Sequence, residues 1–206
     1  ACSLMCAGIT VFSPLHKYGG KGKTCAVIGI GGLGHLAVQY AAKMGMEVTA
    51  FSATESKTQF CKEMGATHVV NSKDLTAVQN HSGKYDVVIQ TLFGTECQDL
   101  YTAYSALPNV QGMYVVVGLP HANFKCTFDQ FHVVTKETSV VGSLIGSVDM
   151  LKTMLAFSAE HNVVPIVEKF KFEDFNVALD KLENGRPHFR CVVDCETFIK
   201  ANGLSK

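Results

Sequence analysis

A glycine-rich turn between a short apolar run and a helical period constrains the fold of this chain more than any other feature. The run Thr24 to Ile28 is followed directly by Gly29-Ile30-Gly31-Gly32-Leu33-Gly34. Apolar residues then recur at helical spacing as far as Met44. A GxGxxG pattern indicates a dinucleotide site only in this setting, directly after a strand and at the start of a helix.

The three glycines that the GxGxxG pattern requires each have a physical reason. Gly29 permits the tight turn, Gly31 lets the backbone approach a pyrophosphate, and Gly34 lets the helix lie close to the strand. The N-terminus of the helix offers N–H groups to the anion. The alternative is that the glycines serve only a closely packed turn. We interpret the turn as a dinucleotide site.

Short apolar runs alternate with helical periods through the first two thirds of the chain. The predicted strands are 24–28, 47–51, 68–70, 85–89, 112–117 and 139–142. Helices are predicted over 55–64 and from about 96 to 107, with irregular chain at 120–136. This alternation is typical of an α/β fold, here a Rossmann doubly wound, six-stranded parallel sheet.

The C-terminal part departs from the alternation. After a helix at 149–161, the pattern is strand (166–172), helix (175–183, ended by Gly185) and strand (189–194). These two strands have no obvious partner in the sequence, and lone strands are unstable without a sheet. We therefore predict three parts: a helical lead-in (1–22), a dinucleotide-binding domain (23–149), and a helix with a β-α-β tail from an incomplete catalytic domain (150–206).

The residues after the second strand bear on the identity of the dinucleotide. NAD sites place a carboxylate about 20 residues after the glycines, but this chain has Ser52 there, followed by Thr54 and Lys57. Hydroxyls and an ammonium suit a 2′-phosphate and favour NADP(H), although Glu55 lies nearby. The alternative is that Ser52 and Thr54 only cap the next helix. The missing carboxylate also counts against S-adenosylmethionine and thus a methyltransferase.

Composition excludes several partners and locations. The 18 basic and 18 acidic residues cancel, so the chain lacks the positive field needed for nucleic acid or a membrane surface. Its eight cysteines are scattered, with no CxxC, which indicates a reducing, cytoplasmic setting. No apolar stretch is long enough to span a bilayer. Because the chain opens at Ala1 in mid-pattern, an upstream segment is expected.

Several segments together resemble the zinc-dependent medium-chain alcohol dehydrogenases, most closely the cinnamyl alcohol dehydrogenase type. They are CAGITVFSPL (6–15), VIGIGGLGHLAVQYAAKMG (27–45), MGATHVVNS (64–72), VVVGLP (115–120), VVGSLIGS (140–147) and NGRPHFRCVVD (184–194). The resemblance runs through essentially the whole chain. It implies an oxidoreductase that transfers hydride between a primary alcohol or its aldehyde and nicotinamide.

The resemblance also assigns roles to individual residues. Those over the pyrophosphate are Gly29, Gly31, Gly32 and Leu33. Those at the 2′-phosphate are Ser52, Thr54 and Lys57. Those along the nicotinamide riboside are Thr91, Leu92, Val117, Gly118, Leu119, Ser143, Leu144 and Ile145, with Arg190 as a cofactor-facing arginine. Cys6 matches a catalytic zinc ligand, and Thr10, one helical turn further on, matches a threonine that packs against the nicotinamide.

The metal site of the family is incomplete in this sequence. A catalytic zinc needs three protein ligands, and only Cys6 is present; Cys2 and His16 make a weak pattern for a separate metal site. Zinc is therefore expected only if upstream ligands are supplied. The leading hypothesis is the NADP(H)-binding part of an alcohol dehydrogenase, and the alternative is a non-catalytic NADP(H)-binding or structural subunit. The resemblance further implies a homodimer through the sixth strand, or association with the missing catalytic half.

Overall fold

The six predicted strands form one parallel sheet in the computed structural model, which describes residues 2–94, 98–120, 123–184 and 187–203. The strands are β1 (Thr24–Ile28), β2 (Glu47–Ser52), β3 (His68–Asn71), β4 (Tyr85–Gln90), β5 (Pro108–Val116) and β6 (Ser139–Gly142). Their order across the sheet is β3-β2-β1-β4-β5-β6. The chain crosses from one edge to the middle between β3 and β4, so β1 and β4 flank the point at which the strand order reverses. The predicted Rossmann sheet is confirmed.

Seven helices are described alongside the sheet. They are α1 (Ala7–Tyr18), α2 (Gly34–Lys43), α3 (Thr58–Glu63), α4 (Leu75–Gln79), α5 (Gln98–Ser105), α6 (Gln130–Thr135) and α7 (Val148–Glu160). The first residues of the predicted helix at 96–107 lie outside the described residues. A 3₁₀ turn at Glu55–Lys57 precedes α3, where one continuous helix was predicted.

Two of these helices, α4 and α6, were missed by the sequence analysis. Each is only about one turn long and depends on its cap rather than on an apolar period. The side chain of Asp74 accepts from the backbone N–H of Ala77 at 3.0 Å, and that of Asp129 accepts from the N–H of His132 at 3.0 Å. Helices this short carry too few turns for periodicity to reveal them.

Contacts divide the chain into two units, Ala1–Val163 and Val164–Lys206. The second unit contains β7 (Val167–Lys171), α8 (Phe175–Glu183), β8 (Arg190–Asp194) and α9 (Glu196–Ala201). The strands β7 and β8, for which the sequence offered no partner, pair with each other in parallel. A helical crossover such as α8 is the connection that such a pair requires. The predicted stop at Gly185 lies outside the described residues.

Within the second unit, a carboxylate ties the strand pair to its helix. Glu168 on β7 accepts from the ammonium of Lys181 on α8 and from the backbone N–H of His188. These hydrogen bonds, that from Lys181 foremost, hold the pKa of Glu168 below its ordinary value. The tail is thus a β-α-β element with its own polar link.

Helices α1, α2 and α7 form one layer of the first unit. The hydroxyl of Tyr40 on α2 is fully buried and lies 2.7 Å from the hydroxyl of Ser158 on α7. The ring of Phe12 on α1 meets Tyr40 edge to face at 5.2 Å. Burial raises the pKa of Tyr40, so its hydroxyl remains a neutral donor. This layer supports the helix that begins at the glycine turn.

The opposite layer is an apolar cluster under α4 and α5. Phe51 on β2 meets the rings of Tyr85 and Tyr104 edge to face. The hydroxyl of Tyr104 on α5 donates to the carbonyl of Ser72 at 2.7 Å. Both faces of the sheet are therefore covered, which explains why its strands are continuous apolar runs.

A carboxylate at the amino ends of the strands joins β1, β4 and β5. Asp86 accepts from the backbone N–H of Thr24 at 2.7 Å, from the Thr24 hydroxyl at 2.9 Å and from the amide of Asn109 at 2.8 Å. Burial by itself would raise the pKa of Asp86, but these hydrogen bonds outweigh it and the pKa lies below its ordinary value. The charged form of Asp86 therefore stabilises the fold.

A histidine–tyrosine pair packs against Phe51 in the apolar cluster under α4 and α5. Nδ1 of His81 is 2.6 Å from the hydroxyl of Tyr85, and the two rings are stacked. Burial, followed by the charges of Lys84 and His68, lowers the pKa of His81. Burial also raises the pKa of Tyr85 to about 12. The fold thus favours the neutral form of both groups.

No helix among the described residues is both long and apolar enough to cross a membrane. The cysteines of the described ranges, all free thiols, are Cys2, Cys6, Cys25, Cys61, Cys126, Cys191 and Cys195. Cys97 lies outside those ranges.

Candidate functional site

The predicted site residues of the first sheet gather along its carboxyl edge. The residues in register at this edge, read across the sheet, are Val70, Phe51, Ile28, Gln90, Val116 and Gly142. The segments predicted to contact a dinucleotide begin directly after five of these positions. Parallel strands bring their carboxyl ends together, so residues far apart in sequence meet here.

Gly29 makes the sharp turn at the end of β1. Its φ of +87° is a left-handed conformation that favours glycine. Its N–H donates to the carbonyl of Phe51 at 3.0 Å. A Cβ at Gly29 would lie 2.8 Å from the side chain of Leu92 and 2.9 Å from the hydroxyl of Thr91. The turn is therefore closely packed against the end of β4.

A side chain would have no room at Gly34 but would have room at Gly31. A Cβ at Gly34 would lie 1.9 Å from the carbonyl oxygen of Gly29, so the helix can approach the strand only without a side chain there. A Cβ at Gly31 would meet no atom of the described residues within 4 Å. The backbone at Gly31 borders open space, as a phosphate cradle requires. The packed-turn alternative explains Gly34 but offers no reason for glycine at Gly31.

The first turn of α2 lies beside this open space. Gly32 and Leu33 are partly exposed, and no side chain caps the helix at Leu33. The buried ring of His35 lies with Nδ1 3.0 Å from the carbonyl oxygen of Gly31. The ring of His35 therefore packs against the turn. An uncapped helix N-terminus attracts an anion.

Lys57 reaches back from the 3₁₀ turn to the glycine turn. Its ammonium donates to the carbonyl oxygen of Ile30 at 2.9 Å. Burial lowers the pKa of Lys57, while the nearby Cys61 raises it. The side chain thus places a positive charge against the glycine turn, a contact that sequence spacing does not reveal.

Ser52 and Thr54 close the end of β2. The nearly buried hydroxyl of Ser52 donates to the carbonyl of Thr54 at 3.2 Å and accepts from its N–H at 3.3 Å. Thr54 precedes the 3₁₀ turn without capping it through its side chain, so the capping alternative has no hydrogen bond to support it. A cleft of about 370 Å³ opens here, and its lining includes Ser52, Thr54, Glu55, Thr58 and Asn71.

Thr91 lies where β4 meets the glycine turn. Its buried hydroxyl donates to the carbonyl oxygens of Ile28 at 2.9 Å and Gly29 at 2.8 Å, which share its one hydrogen. Its backbone N–H also donates to Ile28, at 3.0 Å. Thr91 therefore joins β4 to the start of the turn.

The segment after β5 is tied to the end of β4. The N–H groups of Val117 and Gly118 both donate to the carbonyl of Gln90 at 3.0 Å. A Cβ at Gly118 would lie 1.9 Å from the carbonyl oxygen of Leu92. Val117 is buried and Leu119 is highly exposed. Hydrogen bonds therefore fix the backbone of this segment, while the side chain of Leu119 is exposed to solvent.

Gln90 itself carries an unsatisfied group. The residue is 4% exposed, and its Oε1 is buried with no hydrogen-bond partner among the described residues. Such an orphaned acceptor costs free energy unless a donor reaches it. Sequence analysis assigned no role to this residue.

The segment after β6 runs over the same edge. The N–H of Ser143 donates to the carbonyl of Val116 at 3.0 Å. Ile145 has a φ of +53°, an unfavourable conformation for a β-branched residue. Leu144 and Ile145 are exposed. A Cβ at Gly146 would lie 2.9 Å from the side chain of Ile9 on α1, so this segment lies against that helix.

Cys6 and Thr10 lie at the start of α1. The thiol of Cys6 is exposed, and the mostly buried hydroxyl of Thr10 donates to the carbonyl of Cys6 at 2.7 Å. Across the described residues, no three or more histidine, cysteine or acidic side chains group so as to hold a metal ion. Arg190 begins β8 in the second unit and is partly buried. The first unit therefore brings together every predicted site residue of the sheet edge, and Arg190 belongs to the other unit.

Comparison with known proteins gives a consistent result. Residues 32–160 match the family described as zinc-binding dehydrogenase. The chain is 35% identical over 195 residues to aldehyde reductase YahK of Escherichia coli, covering 94% of this chain and 55% of that protein. It is 38% identical over 191 residues to aldehyde reductase AdhA of Synechocystis sp., covering 92% and 55%. The chain thus spans about half the length of the curated relatives it matches.

Solved structures show the same likeness. A cinnamyl alcohol dehydrogenase of Sorghum bicolor superposes with a TM-score of 0.85 at 32% identity, over 94% of this chain and 54% of that one. A cinnamyl alcohol dehydrogenase of Helicobacter pylori, solved in complex with NADP(H), gives a TM-score of 0.79 at 33% identity, over 93% and 54%. The shared part includes the sheet edge described above.

Proposed function

Because this chain belongs to the zinc-binding dehydrogenase family, as the cofactor-binding part of an alcohol dehydrogenase of the cinnamyl type, we propose that it binds NADP(H) for hydride transfer between a primary alcohol and its aldehyde. The cofactor carries the hydride chemistry when it is bound. The contribution of this chain is to bind and orient it.

The observation that carries the proposal is the open backbone at Gly31. Gly29 and Gly34 are glycines because the turn leaves no room for a side chain, whereas Gly31 has room and still lacks one. The uncapped first turn of α2 lies beside it. Gly31, Gly32 and Leu33 would hold the pyrophosphate there, and Gly29 would keep the turn in place.

The end of β2 supports the phosphorylated form of the coenzyme. Ser52 stands where NAD sites have a carboxylate, so no negative charge from that position opposes a 2′-phosphate. Ser52 and Thr54 supply hydroxyls, and Lys57 supplies the positive charge. The exposed carboxylate of Glu55 lines the same cleft and reduces this preference for NADP(H).

The other end of the coenzyme would follow the carboxyl edge. Thr91 and the segments Val117 to Leu119 and Ser143 to Ile145 would lie along the nicotinamide riboside, with Thr10 packed against the ring. The hydrogen bonds at Thr91 and Gln90 fix the backbone of that edge before any ligand arrives. Arg190 is carried over only from the resemblance.

The described residues do not fit a zinc ion. Cys6 is the sole family zinc ligand among them, and no metal-binding group surrounds it. Turnover needs ligands that these residues do not supply.

Calorimetric titration with NADPH, NADH and S-adenosylmethionine tests the proposal directly. We expect NADPH to bind more tightly than NADH and S-adenosylmethionine not to bind. At 100 times the dissociation constant, NADPH should stabilise the fold by about 2.7 kcal/mol. Absence of binding by both NADPH and NADH would refute the proposal, and a preference for NADH would refute its 2′-phosphate part.

We extend the proposal to assembly and location. The edge strand β6 pairs only with β5 in the sheet, and Val140 on it is 39% exposed. A second copy pairing along β6 would cover this edge, and sedimentation at micromolar concentration would detect a dimer of about twice 22.3 kDa. The free thiols of the described residues agree with a cytoplasmic location.

A further inference from the structure

The contact between Lys57 and the glycine turn joins two parts of the site that are usually considered separately. Lys57 ends the 3₁₀ turn that follows β2, on the adenosine side. Its ammonium nevertheless donates to Ile30, a buried residue between Gly29 and Gly31. One side chain thus connects the ribose end of the site to the pyrophosphate cradle.

This contact has an electrostatic consequence for the cradle. A backbone carbonyl beside a phosphate repels it, and an ammonium bound to that carbonyl offsets the repulsion and orients the peptide. Hydrogen bonds to charged groups are also stronger than neutral ones, more so where burial reduces screening. The partial burial of Lys57 favours such a bond.

We propose that Lys57 is a positioning residue for the pyrophosphate cradle, so that affinity for both NADPH and NADH depends on it. This inference rests on the proposed function, since it assigns Lys57 a second role at the same site. An ammonium has three N–H donors, so a bond to Ile30 is compatible with contact to a 2′-phosphate. A lysine that served only the 2′-phosphate would leave NADH binding unchanged when removed.

The Lys57→Met variant separates the two roles, since it keeps most of the side-chain length and removes the charge. Lys62→Met is the matched control, because Lys62 is an exposed lysine on α3, the helix that directly follows Lys57. Ser52→Ala is the second control, because it removes a hydroxyl proposed for the 2′-phosphate without touching Ile30. All variants are compared with the wild type by calorimetric titration with NADPH and NADH.

The expected pattern is specific to the proposal. Lys57→Met should weaken NADH binding about 10-fold, as loss of one charge-assisted hydrogen bond implies, and NADPH binding about 100-fold or more. Ser52→Ala should weaken NADPH alone, and Lys62→Met neither. Without coenzyme, amide hydrogen exchange at residues 31–36 should be several times faster in Lys57→Met than in the wild type, because the turn is no longer held.

The outcomes separate this inference from the proposed function. If Lys57→Met loses NADPH affinity, keeps NADH affinity and leaves exchange at residues 31–36 unchanged, Lys57 serves the 2′-phosphate only and the inference is overturned. If the wild type binds neither coenzyme, the proposed function fails, while the exchange measurement still decides whether Lys57 holds the turn. Circular dichroism checks folding, and Lys57→Gln repeats the comparison should Lys57→Met unfold.

Discussion

Alanine substitution at Gly34 should lower the stability of the fold, whereas alanine at Gly31 should keep that stability and weaken coenzyme binding. At Gly34, a Cβ would lie 1.9 Å from the carbonyl oxygen of Gly29, so the turn must move by about 1 Å or more. Overpacking of this kind costs about 1–3 kcal/mol. At Gly31, the added Cβ meets nothing, so the fold should be unchanged or stabilised by up to about 1 kcal/mol. That Cβ nevertheless occupies the space proposed for the pyrophosphate.

Thermal unfolding with and without NADPH measures both effects at once. For a chain of this size, 1 kcal/mol corresponds to about 2–4 °C in Tm. Gly34→Ala should lower Tm by about 2–12 °C without ligand. Gly31→Ala should keep or slightly raise it, yet lose most of the shift of about 5–11 °C that saturating NADPH gives the wild type. An unfolded Gly31→Ala, or one that binds NADPH like the wild type, would refute the assignment of open space at Gly31 to the coenzyme.

Three further predictions concern polar side chains on or next to β4. Asp86→Ala should lower stability by about 2–3 kcal/mol, because it leaves donors of Asn109 and β1 unpaired; urea unfolding measures this, and a cost below about 0.5 kcal/mol would contradict it. The pKa of His81 is lowered by burial, so the unfolded chain takes up the proton first and stability should fall as pH drops below about 6.5. Unfolding at pH 5.5 and 7.5 should show this loss in the wild type and a smaller one in His81→Gln; equal losses would rule out the His81–Tyr85 pair as the cause. Gln90→Leu should be neutral or stabilising by about 1 kcal/mol, since its Oε1 has no partner to lose, and a large loss of stability would show that the amide is hydrogen-bonded.

Errors of the sequence analysis arose where a single cap or a distant partner decides the local structure. Helix α6 lies in a stretch that was predicted to be irregular. Its start is marked by a single hydrogen bond, from the backbone N–H of His132 to the side chain of Asp129. The tail strands were left without partners because the 18 residues 172–189 separate β7 from β8. The recurrence of apolar residues every 2 or 3.6 positions reveals neither feature.

The site was predictable to the extent that it is local. The GxGxxG turn, the missing carboxylate at Ser52 and the nearby Lys57 are close enough in sequence to be interpreted together. The hydrogen bonds of the Thr91 hydroxyl to Ile28 and Gly29, and that of Lys57 to Ile30, join residues 27 or more positions apart. The orphaned Oε1 of Gln90 depends on burial by its surroundings. Such contacts exist only once the strands lie side by side.

The sequence by itself determined the class of fold and indicated the kind of ligand, because the period of apolar residues and the placement of glycines are properties of neighbouring positions along the chain. The tertiary structure alone decided which glycine borders open space and which is crowded, and where the charge of Lys57 lies. Those answers depend on distances between separate strands and helices, which no local pattern encodes.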